Sequence, residues 1–343
     1  MNSEFRRLLR PSIATALLAL AACDTVTDPP GAVAGEFTVD ASSKWTYVSL
    51  ADSAIVTPSP SGRESSAWDI AFFSTNVTLN GGAAGPGGVT GACLCQNAGA
   101  TDAQVLAMTA ASGKADFDAV TSLPAGTTFS ADALTPAMSG WYTGAGASAA
   151  ANAGKIFLVR LSDGVSYAKV HVTAIAGATA ASAGQVTLEY AVQPSATAAF
   201  GPTTSITLGS TAATAAADLN ANTLTSAATS WDIRLDGWNL LVNGGISGPG
   251  MTAVAPPETS ASFAATTTAV TAPQAYRADT YAGIFAAKRW YRYNIAGDNR
   301  ISPTFDVYLI RRGNDVYKLQ VTNYYSATGV PRQITFRYQR IGS

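Results

Sequence analysis

The side chains that could do chemistry in this 343-residue chain are few: one His, three Cys and four Met. Neither H-E-x-x-H nor G-x-S-x-G occurs, and no Cys/His pair supplies a nucleophile with its base. A zinc hydrolase or an acyl-transfer enzyme has no foothold, and the chain reads as a non-enzyme. His171 stands between Val170 and Val172 and faces opposite to both, which predicts an exposed strand residue. Cys93-Leu94-Cys95 puts two sulfurs on one strand face. That spacing admits a local disulfide or free thiols, an intermolecular bridge, or a metal site. No C-x-x-C-H is present, so covalent haem attachment is excluded. Asp116, Asp118 and Asp132 are either cation ligands or solvated acids. Arg289, Arg292, Arg311 and Arg312 offer a basic patch for lipid headgroups or a protein partner; nucleic acid is not expected in the compartment argued next.

The remaining cysteine points to the membrane. Arg6, Arg7 and Arg10 precede a short apolar stretch, Ile13 to Leu20, and Leu20-Ala21-Ala22-Cys23 has the form of a bacterial lipobox. So short a stretch cannot cross about 30 Å of hydrocarbon as a permanent helix. Residues 1–22 therefore read as a cleaved lipoprotein signal peptide and Cys23 as the lipidated residue. Residues 23–35, rich in Pro and Gly, read as a tether. The expected location is the cell envelope of a Gram-negative-type bacterium, on the periplasmic or outer-surface side.

The elements that must position any site are written twice. WDIAFFSTNVTLNGGAAGPGG begins at Trp68, and WDIRLDGWNLLVNGGISGPGM begins at Trp231. In both copies the Trp stands twelve residues before the Asn of NGG, at Asn80 and Asn243, and Gly-Pro-Gly follows at 85–87 and 248–250. Such ungapped agreement marks an internal repeat. The NGG-x-x-GPG stretch reads as a shaped turn beside a buried Trp and not as a phosphate cradle, because no Lys-Ser/Thr follows. Each copy closes with three alternating runs that predict an antiparallel meander: Lys155–Arg160, Ser166–Thr173 and Gln185–Val192, then Phe305–Arg312, Val316–Tyr325 and Gln333–Arg340. An aromatic pair precedes each meander, Trp141-Tyr142 or Trp290-Tyr291. Trp68 to Trp141 spans 73 residues and Trp231 to Trp290 spans 59, so the first copy carries about 14 extra residues, with a helix expected at Thr101–Ala111.

Only 13% of residues are charged, and the net charge of −1 hides an asymmetry. Residues 24–195 carry 6 Lys and Arg against 13 Asp and Glu, whereas 288–343 carry 10 against 3. A molecule so polarised can orient against a charged partner, or its charges can be solvated strand faces.

Trp68-Asp69-Ile70-Ala71-Phe72 leading to Asn80-Gly81-Gly82, the later Trp-Tyr pairs and the Tyr-rich closing meander together resemble the HmuY-type lipoproteins. The resemblance implies an all-β protein of two tandem HmuY-like domains, 36–195 and 196–343, each a curved antiparallel sheet or open sandwich. It also implies a binding role, with haem as the candidate ligand. This chain departs from members that hold iron with two His, because it has one. By likeness to a two-Met arrangement, Met108 and Met138 become the candidate haem ligands, in a pocket walled by residues 88–140; thioethers in Ala-rich surroundings equally serve as core fillers. A second reading is an accessory lipoprotein without a ligand, docked on an integral membrane complex such as an electron-transfer assembly.

Overall fold

The computed structural model describes residues 34–59, 61–226, 230–258, 262–267 and 276–342. The signal peptide, Cys23 and the tether up to residue 33 lie outside the described residues. The architecture is all-β, with short helices confined to connections. No helix among the described residues is long and apolar enough to cross a membrane.

Both copies of the repeat fold into the same hairpin, and the conserved spacing has a hydrogen-bonded cause. Strands Ile70–Phe73 and Asn76–Leu79 pair antiparallel, as do Ile233–Asp236 and Asn239–Val242. The Asn that follows each hairpin is fully buried. Its amide nitrogen donates to the carbonyl twelve residues back, Trp68 O at 2.8 Å or Trp231 O at 2.7 Å. Its amide oxygen accepts from the backbone seven residues on, Gly87 N or Gly250 N, each at 3.0 Å. One side chain thus ties the start of the hairpin to the Gly-Pro-Gly bend. Gly81 and Gly244 are required because a Cβ there would run into the carbonyl oxygen of Val89 or Thr252. The next Gly has positive φ, 60° at Gly82 and 63° at Gly245. The shaped-turn reading holds in both copies.

The meanders also form, but each joins the hairpin of the other copy. One five-stranded sheet runs Ala34–Asp40, Pro331–Gly342, Asp315–Tyr325, Tyr308–Arg312, Thr90–Cys93. The other runs Thr204–Leu208, Gln185–Gln193, Tyr167–Ala176, Ile156–Arg160, Ala253–Glu258. Leu309 faces Ala92 across the first edge, and Leu158 faces Ala255 across the second. The buried cores follow the same division. Val48, Ile70, Phe72 and Leu79 pack with Tyr308, Ile310, Phe336 and Tyr338, forming an open sandwich. Ile233, Leu235, Leu240 and Val242 pack with Phe157, Val159, Val170 and Leu188. Full burial of each such side chain contributes roughly 1.5–3 kcal/mol, so these contacts hold the lobes together.

The expected boundary at 195/196 therefore crosses a sheet, because Gln185–Gln193 pairs with Thr204–Leu208. Hydrogen bonding and burial group 34–135 with 280–342 as one lobe and 136–279 as the other. The first strand opens at Ala34, so residues 34 and 35 belong to the sheet rather than to the tether. The chain passes between lobes twice, through Ala133–Thr135 and Thr280–Ala282. These two segments pair antiparallel, with Leu134 opposite Tyr281. The aromatic pairs record the exchange: Trp290 donates to Thr75 O at 3.1 Å in the first hairpin's turn, and Trp141 stacks on Trp238 in the second's.

In place of one helix at 101–111 there are two, Asp102–Ala107 and Ala110–Ala119. Thr101 with Gln104 and Thr109 with Ser112 form capping boxes, and the second box restarts the chain after Met108. The longer helix is fastened by the outer face of the closing meander, where buried Lys318 donates to Phe117 O at 2.8 Å and Gln320 to Gly113 O at 2.9 Å. Lys169 and His171 occupy the matching positions in the other lobe. Lys169 donates to Phe263 O and Thr266 O, and the His171 ring stacks on Phe263 at 4.3 Å. The His171 side chain is only 12% exposed and contacts Ala153 O and Glu189, which corrects the expectation of an exposed strand residue. A connecting segment covers a sheet face that alternation alone reads as solvated.

Candidate functional site

The paired crossover segments carry the parts of a cleft. Asp132 and Asp279 stand at the start of each segment, and each caps the hairpin beside it. Asp132 accepts from Leu79 N at 3.0 Å and Thr78 Oγ1 at 2.5 Å. Asp279 accepts from Val242 N at 2.9 Å and Ala137 N at 2.7 Å. Burial raises both carboxyls above the ordinary aspartate range, against the pull of those donors. Asp132 is thus a structural cap, whereas Asp116 and Asp118 lie on the helix Ala110–Ala119, where Asp118 pairs with Lys114. No cluster able to hold a metal ion exists among the described residues.

Two adjoining cavities open on the crossover. One, of about 470 Å³, has Arg63, Tyr47 and Trp68 among its walls. The other, of about 730 Å³, is walled by Phe73, Phe285, Tyr291, Arg277 and Arg289 among others. They share Trp45, Thr78, Gly245, Ile246 and Tyr281, so one groove runs between the lobes over the crossover. Its size falls in the range of small-molecule sites, roughly 300–1,000 Å³ each. Trp45 packs on Phe73 at 5.8 Å, and burial pushes the Tyr281 phenol up to about 12 despite the pull of Arg63. Tyr281 therefore keeps its proton at neutral pH and has an O–H to offer a ligand.

The arginines sort the surface. Arg312 pairs with Asp69 at 2.7 Å, Arg292 with Asp102 at 2.7 Å and Arg340 with Asp315 at 2.7 Å. Arg311 lies over the Phe129 ring and Arg337 donates to Ala110 O. Two of these pairs, Arg312–Asp69 and Arg292–Asp102, join the basic closing segment to acids of the opening segment inside one lobe. The patch expected from Arg289, Arg292, Arg311 and Arg312 does not form as a free surface, because three of the four are engaged at home. Among the described residues, the arginine side chains with no carboxylate, carbonyl or ring partner are Arg63, Arg277, Arg289 and Arg332. The first three line the groove.

The methionine pair is not assembled. Met138 is wholly buried in the core of the 136–279 lobe with Trp141 and Phe157. Met108 is half-buried at the end of helix Asp102–Ala107, which lies against the other lobe's Ile301–Pro303 strand. Neither side chain lines either of these two cavities. Cys93 and Cys95 form the local disulfide, the first of the alternatives their spacing allowed. Arg63 and Arg277 escaped the sequence reading.

Residues 41–148 match the family described as HmuY protein. The match ends before the second copy, which resembles the first in its internal repeat and its hairpin. No curated protein matches the chain. Among solved structures, the chain is similar to a protein of Bacteroides vulgatus described as HmuY-like and heme-binding, with 11% identity, 91% of this chain and 94% of that one covered, and a TM-score of 0.36. It is also similar to a Bacteroides fragilis protein described as a lipoprotein (12% identity, 91% and 92% covered, TM-score 0.34). A third is an apo HmuY analog of Tannerella forsythia (12% identity, 90% and 96% covered, TM-score 0.34). Likenesses at this level do not define a shared arrangement.

Proposed function

We propose that this is a lipid-anchored, extracytoplasmic binding protein of HmuY type, not an enzyme, whose ligand sits in the groove between the lobes. One observation carries the reading: an aromatic groove, walled by Trp45, Phe73, Tyr281, Phe285 and Tyr291, holds three of the four unengaged arginines. Kinship with HmuY and the lipobox ending at Cys23 support the setting. Haem is the ligand to test first, on that kinship. Ligation of its iron does not fit the chain's residues, because Met108 and Met138 lie in different lobes and neither cavity has a His, Met or Cys wall. The accessory reading rests on the missing second His and the unequal copies; of its polarised charge, two ion pairs, Arg292–Asp102 and Arg312–Asp69, are engaged within one lobe.

Titration of the full mature chain with haem, followed by absorption and tryptophan quenching, tests the site. Trp45→Ala and Ala286→Trp, the latter filling the larger cavity, are expected to weaken binding about tenfold or more, and Met108→Leu to leave it unchanged. Binding lost in the Met variant and retained in both groove variants would move the site to the thioethers.

A further inference from the structure

We infer that the smaller cavity binds a zwitterion of the phosphocholine kind, its quaternary ammonium among the rings of Trp45, Tyr47 and Tyr281 and its anionic group on Arg63. Such a ligand is distinct from haem and needs only this cavity. The two copies of the repeat differ where it would sit. In the second copy the Arg234 guanidinium lies 4.9 Å from the centre of the Trp231 ring. Ala216 stands opposite Arg234 in the sheet, and Leu134 packs on the same tryptophan. The first copy changes all three residues. Ala71 takes the place of Arg234, and Tyr47, opposite Ala71, takes that of Ala216. Tyr281, the cross-strand partner of Leu134, packs on Trp68. The second copy thus covers its tryptophan with a cation of its own. The first lacks that cation and sets aromatic rings around a cavity of about 470 Å³.

Aromatic faces attract a cation electrostatically, and quaternary ammonium groups are held by such boxes. The walls choose among cations. They include no Asp or Glu, and Gly62 O already accepts from Trp68 Nε1 at 2.8 Å. A primary ammonium or a guanidinium would bring N–H donors that meet no carboxylate there, whereas a trimethylammonium has no donor to satisfy. Arg63 supplies the other half. It lines the same cavity and has no carboxylate, carbonyl or ring partner among the described residues. Burial raises the Tyr281 phenol and the Arg63 charge opposes the rise, which sets the guanidinium close to the rings. A simple cation would be repelled by that charge. A zwitterion turns it into an ion pair, because a guanidinium matches the oxygens of a phosphate or carboxylate.

The test is calorimetric titration of the full mature chain with phosphocholine, choline and 3,3-dimethylbutyl phosphate. Choline keeps the cation and loses the anion; 3,3-dimethylbutyl phosphate keeps shape and anion, with carbon in place of nitrogen. Each is expected to bind at least about tenfold more weakly than phosphocholine. Arg63→Gln should weaken phosphocholine about tenfold without weakening choline, and Tyr281→Leu, the second copy's residue, should weaken both. Ala71→Arg should block the cavity from within, as Arg234 covers Trp231. Ala71 is fully buried, so the melting temperature of that variant is read beside its binding, and Arg63→Gln carries the test if it misfolds. Ala286→Trp, which fills the larger cavity, should leave phosphocholine binding unchanged while weakening haem, so the two sites stand or fall separately. Phosphatidylcholine vesicles that compete with phosphocholine would assign the source to a lipid headgroup, and vesicles that do not compete would assign it to a soluble zwitterion. No phosphocholine binding, a carbon isostere bound as tightly as phosphocholine, or an Arg63→Gln variant with unchanged affinity would each overturn the inference.

Discussion

Replacing Asn80 by Ala removes the tie that explains the repeat's spacing, and the structure sets the size of the loss. The Asn80 side chain is fully buried; its amide nitrogen donates to Ser65 O at 2.9 Å and Trp68 O at 2.8 Å, and its oxygen accepts from Gly87 N at 3.0 Å. Truncation orphans three backbone groups at once. Orphaning a buried polar group costs about 1–3 kcal/mol, and Gly87 is open enough to regain water. The expected loss is therefore about 3–5 kcal/mol, a large fraction of a typical stability of about 5–15 kcal/mol. Asn80→Asp should be worse at neutral pH, because it turns a donor into a carboxylate oxygen facing two carbonyls. Burial and those carbonyls would raise that carboxyl's folded pKa above its unfolded value, so the Asp variant recovers as pH falls and loses ground as pH rises through the folded pKa. Urea unfolding of Asn80→Ala, Asn80→Asp and Asn243→Ala at two pH values checks this. A loss under about 1 kcal/mol for Asn80→Ala, or an Asp variant equal to the Ala variant at pH 7, would refute the reasoning.

Asp132 and Asp279 are raised by burial, so the stability they contribute is complete below the ordinary value of 3.8 and declines as pH rises through their folded values. The native chain should consequently gain unfolding free energy relative to Asp132→Asn as pH falls from about 7 to below about 4; a constant difference would contradict it. Fragments 34–195 and 196–342 should each unfold without cooperativity and regain the native circular dichroism when mixed, because each holds one lobe's hairpin and the other lobe's meander. A cooperative transition in fragment 34–195 alone would refute the exchanged pairing. The Cys93–Cys95 bridge closes a very short loop, with a sequence separation of 2, so Cys93→Ser with Cys95→Ser should cost only about 1.5 kcal/mol by chemical denaturation. A loss above about 4 kcal/mol would mean that the bridge does more than close that loop.

The meanders and the shaped NGG turn were legible because their causes are local. Alternation fixes a strand, and a buried Asn must satisfy its amide within reach, at twelve residues back and seven on. His171 was misread because alternation describes a strand and not what later covers it. The helices after Thr101 were only half legible, since a low-amphipathicity, Ala-rich stretch leaves their division to the caps at Thr101 and Thr109.

By itself the sequence determined that there are two copies of a Trp-Asp-led segment with a shaped NGG turn, and two antiparallel meanders; the hairpin and the Asn lock in each copy came from the structure. Which meander completes which hairpin was decided only in three dimensions. Both copies carry matching apolar strand faces, and backbone hydrogen bonds do not distinguish Thr90–Cys93 from Ala253–Glu258 as the edge partner. The path of Ala133–Thr135 and Thr280–Ala282 makes the choice, and that same crossing draws Arg63, Arg277 and Arg289 to one groove from positions more than 200 residues apart in the chain.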